Sequence, residues 1–141
     1  MAYSDIFDYF REKIPQAGPF KETSKPFDQS IPSSIIDRSF SIVLDRISGV
    51  NRNEIDFLSI ASVYINLYRK GFISESKARE YAIIDSEAII KECMKVVNAN
   101  TQPAIKNVKM RSIDIIGLES NDNTVLCRIN FDVNIRMNPN S

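Results

Sequence analysis

"NDNTVLCRINFDVNIRMN", residues 121–138, alternates apolar and polar residues for six pairs. Val125, Cys127, Ile129, Phe131, Val133 and Ile135 fall on one side, and Leu126, Arg128, Asn130, Asp132, Asn134 and Arg136 on the other. A period of two over this length predicts a long strand with one face on a core. Only Leu126 departs from the pattern. Upstream, "AIKNVKMRSIDII" (104–116) predicts a second strand, with "GLESNDN" as the turn between them.

The same reading extends toward the N-terminus. Ser74 is a candidate N-cap for a helix over 75–97, where Ala78, Ala82, Ile89, Cys93 and Val96 recur at three- and four-residue steps. Asp85-Ser86 is a point where it could bend or split. "SFSIVLDRI" (39–47) predicts a strand, "SGVNRN" (48–53) a turn, and 55–70 a strand with Ala61, Val63, Ile65 and Leu67 on one face. A helix is the rival reading for 55–70, opposed by its β-branched and aromatic content. Residues 3–14 predict an amphipathic helix ended by Pro15. The segment 15–35, broken by Pro15, Pro19, Pro26 and Pro32, reads as an arm carrying Phe20, Phe27, Ile31 and Ile35. It packs either on its own domain or on a neighbour.

Together these predict an α+β fold: an antiparallel sheet of about four main strands in two hairpins, with a helix on one face. Residues 1–35 form an N-terminal helix and Pro-rich arm, and 36–141 a single domain. A chain of 141 residues is long enough for one real core.

Eighteen basic residues cancel eighteen acidic ones. This disfavours a protein that lives by neutralising phosphates and favours self-association. No apolar run approaches the length of a membrane span, and the charged N-terminus lacks the plan of a signal peptide, so the expectation is assembly in the cytoplasm. Histidine is absent, which removes the commonest general base and transition-metal ligand. Cys93 and Cys127 read as reduced, buried core thiols, with a disulfide as the alternative. The four glycines build no phosphate-cradling loop, and "ESNDN" (119–123) lacks the ligand spacing of a calcium loop. No catalytic residue, cofactor or metal ligand is assigned. Arg46, Arg52, Arg69 and Lys70 either form a basic patch interleaved with Asp45, Glu54 and Asp56, or are solvated hairpin ends. As a subunit contact, Asp45, Arg46, Arg52 and Glu54 would set register.

The order of elements resembles that of phage tail terminator (tail completion or tail-to-head joining) proteins over about residues 36–136. The resemblance is carried by the "FSI" strand, the "YAIIDSEAII" helix after a strand, and the "DN" turn before "FDVNI". It implies a hexameric ring that caps the tail tube in the virion, partnered by the tube protein and a neck or head-completion protein. DNA would pass through the ring without sequence-specific contacts. The arm is longer than the family pattern, and the resemblance assigns no functional residue. A secretion-system subunit and a small ligand-binding domain or enzyme are the competing readings.

Overall fold

The computed structural model describes residues 5–23, 37–52, 57–95, 105–118 and 123–137. Helix α1 (Asp5–Ala17) leads to a short strand β1 (Lys21–Glu22). Strands β2 (Ser39–Arg52) and β3 (Phe57–Lys70), helix α2 (Glu75–Cys93), and strands β4 (Ile105–Gly117) and β5 (Thr124–Met137) follow. The strands form one sheet in the order β1-β2-β3-β5-β4. Every pairing is antiparallel except β1 with β2. The fold is α+β, with both helices on one face of the sheet.

β5 takes the alternation predicted for it. Val125, Cys127, Ile129, Phe131, Val133 and Ile135 are all buried. Ala78, Ala82, Ile89 and Cys93 of α2 close over this row with Ala61, Val63, Ile65 and Leu67 of β3. The exception, Leu126, also has an explanation. It lies between Tyr68 and Ile116 on the other face and is buried with Tyr68.

α1 joins the same core through Ile6, Tyr9, Phe10 and Ile14. The Phe10 and Phe131 rings lie 5.4 Å apart, and Tyr9 Oη donates to the Cys93 carbonyl at 2.7 Å. Pro15 was expected to end this helix, yet the helix runs on to Ala17. Its missing N–H falls in the last turn, where only a bond near the frayed end is lost. The stop comes at Gly18, where a Cβ would sit 2.8 Å from Phe20 Cε2.

The turn expected over 48–53 is also corrected, because β2 continues to Arg52. Its register slips at Leu44/Arg46 and at Gly49/Asn51, leaving Asp45 and Val50 as extra residues. Two β-bulges let an irregular sequence stay paired. β4 carries similar slips at Ile105/Asn107 and Met110/Ser112. Between these outer strands, β3 and β5 pair without interruption from Phe57↔Met137 to Lys70↔Thr124.

α2 begins where predicted, with Ser74 Oγ accepting from the Lys77 N–H at 3.2 Å. Val96 and Val97, expected in its last turn, lie outside the described residues. The helix neither bends nor splits at Asp85-Ser86. Ser86 Oγ donates to the Ala82 carbonyl at 2.6 Å and sits 2.9 Å from Cys127 Sγ. Cys93 and Cys127 are both buried and free, so the disulfide alternative is not formed. Burial pushes the Cys93 thiol up to about 12 and raises that of Cys127. No helix among the described residues is long and apolar enough to cross a membrane.

Candidate interaction surface

The helices cover one face of the sheet, and among the described residues no helix packs on the other. On that face the cross-strand rows run Ser41–Asn66–Arg128–Asp114, then Val43–Tyr64–Asn130–Ser112, then Arg46–Ser62–Asp132–Lys109. Such rows put neighbouring side chains within reach of one another.

The rows are joined by side-chain hydrogen bonds. Asn66 donates to Ser41 Oγ at 3.5 Å and accepts from Arg128 Nε at 3.0 Å. Asn130 Nδ2 lies 2.7 Å from Ser112 Oγ and 3.1 Å from Asp114 Oδ2. Asn134 Nδ2 donates to Asn107 Oδ1 at 2.6 Å. The Arg128 guanidinium lies over the Tyr64 ring, 5.4 Å from its centroid. The Tyr64 hydroxyl donates to Asp45 Oδ2 at 3.0 Å, and that bond raises its pKa. Asn66 is fully buried beneath this layer, with both ends of its amide satisfied.

Between β3, β5 and β4 the face dips into a polar concavity of about 300 Å³. Its lining includes Tyr64, Arg111, Asp114, Arg128, Asn130 and Asp132. Arg111 reaches it from the extra position of a β4 bulge, the re-aiming effect such bulges have. Opposite charges are interleaved, a pattern suited to a wet protein contact in which each charge fixes register. The thiols lie in the core on the other side of the sheet, away from this concavity.

The residues singled out from sequence are dispersed. Asp45 and Arg46 are exposed in the middle of β2 rather than at a hairpin end. Asp45 is itself a bulge residue and holds Tyr64. Arg52 ends β2 opposite Phe57, and Glu54 lies outside the described residues. Arg69 does not join Arg46 and Arg52 in a patch. It stands twelve residues from Phe57 along β3, about 40 Å at the rise of a strand. There it is buried in an ion cluster, with Nε 2.7 Å from Asp85 Oδ2 and Nη1 3.0 Å from Asp37 Oδ2. Arg38 approaches Asp85 at 3.7 Å, and the Tyr81 ring lies 4.9 Å from the Arg69 guanidinium. Burial raises the Asp85 pKa, and both arginines oppose the shift. The cluster ties the chain's return at Asp37 to the end of β3 and to α2.

Of the arm's apolar residues, Phe20 is buried in the chain's own core, beneath the Arg38 guanidinium. Phe27, Ile31 and Ile35 lie outside the described residues. Two features had no place in the sequence reading. The polar network could have been suspected from asparagine, arginine and tyrosine crowding the outward positions of β3 and β5. Asp85 could have been suspected as a charge inside the buried stripe between Ala82 and Ile89, where an acid needs a partner.

No family model matches the chain, and no curated protein matches it. The fold recurs in a virion. A chain in the structure of the virion of a native gene transfer agent (GTA) particle superposes with a TM-score of 0.62. The match covers 94% of this chain and 92% of that one at 9% identity, so the likeness is one of fold.

Proposed function

We propose that this chain is a structural, non-enzymatic subunit of a tailed-phage or phage-like virion. In this reading it forms a hexameric ring that caps the tail tube and joins it to the neck. The observation that carries the proposal is the end-to-end likeness in fold to a chain of a virion. The order of elements, which resembles tail terminators, and the mixed-charge open face support it. A ring closes by heterologous contacts, one surface of each subunit against a different surface of the next. The tube protein and a neck protein are the partners of its two ends. Asp45, Arg46, Arg52 and Glu54 act at a subunit or partner contact, where charges tune association rate and salt dependence.

The test is a complementation assay that counts complete particles against free heads and tails. A null mutant is expected to accumulate unjoined heads and tails, and normal yields from it would sink the function. The double reversal Arg46→Glu with Arg52→Glu is expected to keep the fold and lower the yield. Normal yields from that variant remove these residues from the contact. Negative-stain images of the purified protein should show rings.

A further inference from the structure

The outer strands are guarded unevenly against edge-to-edge pairing. In β4 the first half, Ile105–Arg111, holds both bulges and the exposed cations Lys109 and Arg111. Bulges and lysines are common defences of an exposed edge. The second half, Ser112–Gly117, pairs regularly with β5, carries one charge, Asp114, and leaves Ile116 45% exposed. Ile113 and Ile115 there are only partly buried at the rim of the core. No strand covers the outer edge of this half among the described residues.

β2 shows how the same chain treats the equivalent edge. Its bulges fall toward its end, and its regular half starts at Ser39, at the same end of the sheet as Gly117. That half is paired by the short extended segment β1, with Lys21 N–H donating to Arg38 and Thr23 N–H to Phe40. The next thirteen residues, 24–36, leave beside Phe40 and return at Asp37. Out and back, they reach about 20 Å. Four strand spacings, about 19 Å, separate β1 from the chain's own β4. The loop would spend its whole length crossing that distance, with nothing left to lie along the edge. A second copy set beside β1 brings its β4 within reach. Between Pro26 and Pro32, "FDQSI" has five residues able to donate to a ladder, and Phe27, Gln29 and Ile31 share one side.

We propose that Ser112–Gly117 is an acceptor edge for Phe27–Ile31 of a neighbouring copy, which adds as a further strand and covers Ile113 and Ile115. The proposal rests on the ring reading above and gives it a concrete contact.

The test is amide hydrogen exchange on the full chain, assembled and after dilution, beside a variant with residues 25–35 replaced by glycine and serine at equal length. Amides of 112–117 should exchange about tenfold more slowly in the assembled protein, and the variant should lose that protection. Equal exchange in rings and dilute protein overturns this contact while leaving the ring reading intact. Protection that survives in the variant overturns the choice of occupant. A monomer at every concentration overturns both readings.

Discussion

Phe131→Ala is the sharpest probe of how the layers are held together. Phe131 is 1% exposed and stands in β5 against Phe10, whose ring lies 5.4 Å away at 41°. Phe10 is itself met edge-on by Tyr9 at 88°. Removing the Phe131 ring opens a cavity between an uninterrupted ladder and a helix, neither of which can collapse into it. Such truncations cost about 3–5 kcal/mol. With a urea slope of about 2 kcal/mol/M, the midpoint falls by about 2 M with the slope unchanged. Phe10→Ala should cost a similar amount. The double variant should fall short of the sum by about 1 kcal/mol, the coupling of the aromatic pair. Unfolding is followed by circular dichroism at one protein concentration, so that assembly does not shift the midpoint. A midpoint lowered by less than about 0.5 M would refute the placement of α1 on β5.

Other perturbations separate the remaining features. Arg69→Ala leaves the buried Asp85 carboxylate with only the longer 3.7 Å contact to Arg38 among the described residues and should cost about 3 kcal/mol, whereas Arg46→Ala, on the exposed part of β2, should stay within about 0.5 kcal/mol; equal effects on urea midpoints would deny the ion cluster its role. Burial raises Cys93 from 9.0 to about 12 and Tyr9 from 10.0 to about 12. Their stability contribution is therefore complete below the unfolded values and lost as pH rises through 12, so thermal midpoints should decline above pH 9 and less steeply in Cys93→Ala. A flat alkaline profile contradicts that burial. Phe72 is 63% exposed at a φ of 57°, a left-handed conformation that an aromatic residue adopts at a cost. Phe72→Gly should raise the unfolding free energy by roughly 0.5–1 kcal/mol, and a lowered urea midpoint would mean that the ring makes a stabilising contact.

The elements that could be read from sequence are those whose residues all answer to one force. β5 and β3 lie in the middle of the sheet, so burial imposes strict alternation on them. α2 announces itself through Ser74 and a stripe of small and apolar residues. The outer strands answer to two demands, pairing on one edge and irregularity on the other. One extra residue at Asp45 and another at Val50 break the period, so a continuous strand reads as a turn. β1 has two residues and no period at all. Asp85 reads as a helix breaker because its partners, Arg69, Arg38 and Asp37, are distant in sequence. Polar outward positions on β3 and β5 were visible individually, but which asparagine meets which serine depends on register. Register is fixed only when the core face is seated.

The unbroken β3–β5 ladder has a mechanical consequence. All 14 residues of β3 pair with all 14 of β5, without a bulge. Pulled lengthwise in opposite directions, two such strands share the load across every rung, and the rungs must fail together. Pulled apart sideways, they open one rung at a time at much lower force. A subunit anchored through opposite ends of these strands would therefore resist axial tension as a tendon does, while its bulged margins yield first. In a joint carrying tension along a tube, the orientation of this pair relative to the long axis would decide whether the connection holds or unzips.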